Sequence, residues 1–151
     1  MRILVISDSH GDALKLRKAV EQQPTAEILF YLGDGEHDLE YAGINIPAVR
    51  VRGNCDWGSE LPAFSVDKID GKVIYSTHGY AEFVKHGITR LIDVAKDYGA
   101  HIALYGHTHN PVTEYIDGVW YVNPGSVRDG NYAVVDITKS GIMPVLMKVR
   151  Y

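Results

Sequence analysis

Short apolar runs punctuate the first hundred residues, each followed by polar or small residues. RILVIS (2–7) is apolar at consecutive positions, which predicts a strand covered on both faces. EILFYL (27–32) and PAVRV (47–51) read the same way, and HIALY (101–105) forms another such run. Between the first two lies a helical pattern over 12–22, with Asp12 as N-cap and Ala13, Leu16 and Val20 on one face. A second helix is predicted over 86–98, where Ile88, Leu91, Ile92, Ala95 and Tyr98 make a stripe and Gly99 closes it. Strands joined through a helix form right-handed parallel units.

The second half changes period. AFSVDKI and KVIYSTH flank Asp70-Gly71, and VTEYI and VWYVN flank Asp117-Gly118. Both dipeptides are strong two-residue hairpin signals. NYAVVDI and IMPVLMKV flank Lys139-Ser140-Gly141. These paired runs predict antiparallel strands, and their number predicts two mixed sheets packed face to face with helices outside.

The polar residues that end the apolar runs are unusual. Ser7-Asp8-Ser9-His10 follows the first, Gly33-Asp34 the second and Gly53-Asn54 the third. His78-Gly79 follows KVIYST, and Gly106-His107-Thr108-His109 follows HIALY. The crevice beyond the carboxyl ends of strands is where α/β sheets bind ligands. Asp8, His10, Asp34, Asn54, His78, His107 and His109 are therefore expected to meet at one place. Residues i and i+2 of an extended chain point the same way, so Asp8/His10 and His107/His109 are each expected to serve it as a pair. Seven donors exceed one tetrahedral ion and suit two cations sharing a carboxylate. Imidazole, carboxylate and amide donors without thiolate favour Mn²⁺, Fe²⁺, Zn²⁺ or Co²⁺. Two such cations lower the pKa of a shared water and hold phosphoryl oxygens.

Each motif alone is an ordinary turn or a satisfied histidine. Together and in this order, D-x-H, G-D, G-N-x-D, H-G and G-H-x-H resemble the calcineurin-like metallophosphoesterase superfamily. The NPGS at 123–126 is similar to its small, single-domain phosphodiesterase branch in bacteria and archaea. The resemblance implies one domain over 1–151 and a four-layer α/β/β/α sandwich. It also implies a small-molecule phosphodiester substrate, hydrolysed by attack of a metal-bridging hydroxide. Two divalent ions are implied, Mn²⁺ foremost, with Ni²⁺, Co²⁺, Fe²⁺, Zn²⁺ and Mg²⁺ as other choices. Asp8, His10, Asp34 and His109 would hold one ion and Asp34, Asn54, His78 and His107 the other, with Asp34 bridging. Asp34, Asn54 and His78 would also serve catalysis.

One departure stands out. Many members of that family read G-N-H-D or G-N-H-E, whereas this chain reads Gly53-Asn54-Cys55-Asp56. The imidazole taken to protonate the leaving group is missing, and Asp56 has lost the partner it would orient. A thiol of ordinary pKa is a poor substitute. Substrates with good leaving groups should react best. His37 is expected at the substrate or behind the ligands, and Cys55 and Asp56 likewise. His86 and His101 are expected to be structural, Trp57 to be a packed aromatic sooner than one overhanging the site, and Asn123 and Ser126 to set a turn that supports the site.

Composition narrows the field further. The 151 residues carry a formal net charge of −4, which offers no basic face for non-specific nucleic-acid binding and disfavours a nuclease. One cysteine excludes an intrachain disulfide and, with no leader-like or membrane-length apolar stretch, suggests the cytoplasm. Homo-oligomerisation is left open. A non-catalytic scaffold on the same fold is the rival reading, and the complete ligand set counts against it.

Overall fold

Alternation decides where each residue of the first strand goes. In the computed structural model, which describes residues 1–151, β1 (Arg2–Ile6) sends Ile3 and Val5 into one apolar cluster and Leu4 and Ile6 into another. All four are wholly buried, as a strand between two covering layers requires. β2 (Ile28–Tyr31) and β3 (Ala48–Arg50) follow in parallel, each strand paired to the one before. Phe30 joins Ile3 and Val5, and Leu29 and Tyr31 join Leu4 and Ile6.

Helix α1 (Ala13–Glu21) connects β1 to β2, and the Asp12 side chain caps it by accepting the Lys15 N–H at 3.1 Å. Leu16 and Ala19 press onto the outer face of this sheet beside Leu39 and Ala42 of a short helix, α2 (Asp38–Tyr41), and its C-cap. Burying a leucine such as Leu16 contributes about 2 kcal/mol. The sequence pattern shows no element at α2, because four residues are too few to display a 3.6 period.

Three hairpins confirm the turn signals: β4 (Phe64–Ile69) with β5 (Lys72–Thr77), β7 (Val112–Ile116) with β8 (Val119–Asn123), and β9 (Asn131–Thr138) with β10 (Gly141–Lys148). Asp70 and Asp117 take the left-handed conformation that such two-residue turns demand. β6 (Ile102–Leu104) lies parallel between β5 and β8.

The strands form two five-stranded sheets, ordered β10-β9-β1-β2-β3 and β4-β5-β6-β8-β7. The last hairpin therefore returns to the first strand, with β9 antiparallel to β1. Between the sheets sits the cluster of Ile3, Val5, Phe30, Ile74, Leu104 and Val135. Helix α3 (Thr89–Asp97) covers the second sheet through Leu91 and Ala95, packed on Tyr75, Ala103 and Tyr121. The layers are α/β/β/α, as expected.

The second helix is shorter than the sequence pattern predicts. Residues 84–86 form a separate 3₁₀ turn, and Gly87, at φ 107°, breaks the chain before α3 begins. The stripe nevertheless faces inward apart from Tyr98, which is 45% exposed and stacks on Tyr75 at 5.6 Å.

Candidate metal centre

The polar strand ends gather at one edge of the two sheets, and their backbone is the first sign of why. Eight residues other than glycine have positive φ, and five are ligand candidates: Asp8 (57°), His10 (44°), Asp34 (62°), His107 (71°) and His109 (62°). Such conformations are uncommon outside turns and cluster at functional sites. This corrects one expectation. Asp8/His10 and His107/His109 are not extended pairs pointing one way; each runs through a left-handed loop. Asp8 and His10 do stay together, with His10 Nε2 at 3.4 Å from Asp8 Oδ1. His107 and His109 part company and join different groups of donors.

Glycines make room for these loops. A Cβ on Gly53 would collide with the Asp34 carboxylate, and one on Gly106 with the Ser7 hydroxyl.

The two carboxylates are buried and share a design. Asp8 Oδ2 accepts the Ser7 hydroxyl at 2.5 Å and the His107 N–H at 3.2 Å. Asp34 Oδ1 accepts the Cys55 N–H at 2.8 Å. The remaining oxygen of each faces imidazoles. Asp8 Oδ1 lies 3.1 Å from His109 Nε2, and Asp34 Oδ2 lies 3.3 Å from His78 Nε2 and 3.8 Å from His10 Nε2.

The imidazoles crowd together. His10 and His109 bring their Nε2 atoms to 3.3 Å, and His78 Nε2 lies 3.2 Å from His107 Nδ1. His78 Nδ1 sits 2.7 Å from the Leu32 carbonyl, which can only accept, so Nδ1 carries the proton. Neutral His78 then presents a bare Nε2 to the cluster, the orientation of a metal-ligating histidine. Two nitrogens facing each other at such distances need a proton or a cation between them. The donors fall into triplets: Asp8–His10–His109, Asp34–His78–His107 and His10–Asp34–Cys55, each with its atoms within 4.8 Å of one another. Asp34 belongs to two of them. One fixed and one free oxygen on each carboxylate, with bare imidazole nitrogens opposite, fits divalent cations of intermediate hardness.

The sequence profile of the calcineurin-like phosphoesterase superfamily domain matches residues 1–140. The chain belongs to this superfamily. Among curated relatives, the probable metallophosphoesterase YsnB of Bacillus subtilis is 30% identical over 129 residues, spanning 85% of this chain and 76% of its own. The phosphodiesterase MJ0936 of Methanocaldococcus jannaschii is 27% identical over 145 residues, with 83% of each chain covered. Among solved structures, a predicted phosphoesterase from Streptococcus pneumoniae superposes with a TM-score of 0.84 at 27% identity, covering 97% of this chain and 88% of that one. Vps29 of Chaetomium thermophilum shares the fold at TM-score 0.74 and 17% identity, with 99% of each chain covered.

Within the superfamily's G-N-x-D segment, the structure separates three roles. Asn54 is exposed, and its amide nitrogen lies 3.6 Å from Cys55 Sγ, so its carboxamide is turned toward the thiol in this conformation. Cys55 is exposed, and partial desolvation of its thiol, followed by the Asp34 charge, pushes its pKa up, against a thiolate nucleophile. Asp56 is an organiser. Its two oxygens accept the N–H groups of Asp34 (2.9 Å), Gly35 (2.8 Å), Glu36 (3.2 Å) and Gly53 (2.7 Å). It is fully occupied without an imidazole partner, which explains its presence beside Cys55.

The peripheral residues divide similarly. His37 is exposed, 3.4 Å from Glu36, and outside the donor triplets. His101 Nδ1 accepts the Val73 N–H at 2.9 Å, a structural task, and His86 is exposed on the 3₁₀ turn. Asn123 donates to Gly106 O and Thr108 Oγ1 while accepting from Gly125, which fixes the G-H-T-H loop. Ser126 donates to the Asp8 carbonyl at 2.7 Å. Trp57 corrects an expectation: it is not packed but 90% exposed.

Some contributors were invisible in the sequence. Buried Asp38 accepts from Ser9 Oγ at 2.5 Å and Gly11 N at 2.9 Å, pinning the loop that carries His10. Ser7 orients Asp8. Their only sequence signal was proximity to D-x-H and G-D.

Burial pushes the Asp34 carboxyl up, but the His78 hydrogen bond and charge, with the Cys55 N–H, outweigh it and hold the group at about 2. Burial lowers His78, but Asp34 and Asp8 outweigh it and raise the imidazole above its usual value. His107 is lowered by burial and by His78 and Lys85 beside it. A metal held by His78 would have to displace the proton from its Nε2. At pH near 6.5, the ordinary histidine pKa, binding should therefore release about half a proton or more from His78 alone. The release should shrink, and affinity rise, as pH climbs past the raised pKa. Calorimetry in buffers of different ionisation heat measures it; no release at pH 6.5 would remove His78 from the ligand set.

Proposed function

We propose that this chain is a phosphodiesterase using two divalent cations, Mn²⁺ foremost, on a small-molecule phosphodiester. The observation that carries this reading is the pair of carboxylate–imidazole triplets, Asp8–His10–His109 and Asp34–His78–His107, facing each other at the strand ends. In this reading Asp8, His10, Asp34 and His109 hold one cation. Asp34, Asn54, His78 and His107 hold the other, Asn54 by turning its carboxamide from Cys55 toward the cluster. Such cations, when bound, supply Lewis-acid charge for the phosphoryl oxygens and an activated water.

The chain's own residues do the rest. His78 is held in one tautomer by Leu32 O, and Asp8 and Asp34 are held by Ser7 and by backbone N–H groups, so these three donors need no reorganisation as charge develops. No imidazole stands at position 55 to protonate a departing alkoxide. Aryl and other stable leaving groups are the substrates this site suits.

The likeness to Vps29 favours a second reading, a binding scaffold on the same fold. The experiment that separates them is to strip the protein with EDTA, reload it with Mn²⁺, count bound metal and assay bis(4-nitrophenyl) phosphate. The expected result is hydrolysis that vanishes on stripping and returns on reloading. Two bound ions with no hydrolysis of any phosphoester would support the scaffold; undiminished hydrolysis without metal would end the two-cation reading.

A further inference from the structure

Trp57 exposes 90% of its surface two residues beyond Cys55. Its loop is nevertheless held firmly. Asp56 accepts four backbone N–H groups, Ser59 donates to Glu36 at 2.6 Å, and Arg52 donates to the Leu61 carbonyl at 2.8 Å. A fixed loop that holds a large indole in water forgoes the burial that usually places tryptophan.

The hollow beside this ring, about 310 Å³, is bordered by Cys55, whose sulfur groups with His10 and Asp34 of the donor cluster. Trp57, His37 and Glu36 also line an adjoining hollow of about 350 Å³ reaching Arg50. That outer part carries Glu36, Glu40 and Glu60 against the single cation of Arg50. Three carboxylates disfavour a second phosphate there and suit an uncharged ring bearing N–H donors. The indole face supplies a stacking surface for such a ring.

We infer that Trp57 is a stacking platform for a nucleobase carried by the phosphoester, which makes nucleotide-derived diesters bearing a stable leaving group the substrate class. This rests on the phosphodiesterase reading for the position of the phosphate, but its test does not need turnover. Calorimetry of Mn²⁺-loaded protein with adenosine 5′-monophosphate and with ribose 5-phosphate compares two ligands differing in the base alone. Stacking on one aromatic is worth about 1–3 kcal/mol by alanine substitution. The wild type should therefore bind the nucleotide about tenfold more tightly. Trp57→Ala should erase that difference with ribose 5-phosphate affinity unchanged, and Trp57→Phe should keep most of it. Equal binding of both ligands by the wild type overturns the platform. So does a Trp57→Ala loss that is the same for both, which would mark a structural role for the loop. A base preference that persists where bis(4-nitrophenyl) phosphate is not hydrolysed would sink the hydrolase reading and leave the platform standing.

Discussion

Asp34→Asn is expected to lower turnover about a thousandfold or more, roughly 4 kcal/mol of barrier, in a protein that still folds. The substitution keeps the side chain's shape, and an oxygen remains to accept the Cys55 N–H at 2.8 Å. What disappears is the charge that His78 and His10 face at 3.3 and 3.8 Å. Asp34 contributes to two donor triplets, so under the two-cation proposal the loss should be felt by both cations, and elemental analysis should find fewer than two ions per chain. His78→Ala should be comparably inactive, because it removes the imidazole whose tautomer Leu32 fixes. His101→Ala serves as the control; its ring supports Val73 away from the centre, and kcat should change by less than about twofold, as for changes remote from the chemistry. Wild-type rates in folded Asp34→Asn would overturn the assignment of Asp34 as the shared ligand.

Asp56→Ala should damage both stability and activity, though Asp56 itself belongs to no donor triplet. Four N–H groups from two loops lose their common acceptor. Hydrogen bonds to a charged group are worth about 1.5–3 kcal/mol each, and water will recover part of them at this half-buried position. A net loss of about 3 kcal/mol is expected, lowering Tm by about 10 °C in a domain of this size. Turnover should fall by about 10- to 100-fold, the usual cost of removing support from behind metal ligands. Asp56→Asn, which keeps one acceptor, should fall between. The discriminating readout is metal affinity, because displacement of Asp34 weakens it, whereas loss of a proton donor would leave it intact.

Much of this arrangement was legible in the chain because two strong signals coincide in it. Asp70-Gly71 and Asp117-Gly118 fix hairpins locally, and β1 and β2 announce their two-sided burial by unbroken apolar runs. The gathering of these polar side chains was legible because each follows such a run. Sheet membership was not: β9 pairs with β1 across more than 125 residues, and no local pattern encodes that choice. The interior of the site was equally silent. Asp56, Asp38 and Ser7 act through backbone N–H groups and neighbouring side chains, and their partners depend on where the loops meet. The i, i+2 argument failed because it assumed extended chain where the loops turn left-handed. Trp57 reads as packed because aromatic residues are usually buried, and only its place directly after G-N-C-D hints at the exception.

The placement of β1 between β2 and β9 also governs how the molecule can be made. Synthesis is vectorial, and domains mature as their residues emerge. β1 and β2 can pair early, but the other side of β1 stays an unpaired apolar edge until residues 131–138 have left the ribosome. Ser126, which steadies the Asp8 carbonyl, emerges only shortly before. A chain stalled before β9 thus already carries every candidate donor but leaves β1 as an open edge, the kind of surface that templates association with other strands. Chaperone demand and aggregation of truncated chains should therefore rise steeply at stall points upstream of residue 131 and ease once β9 has docked.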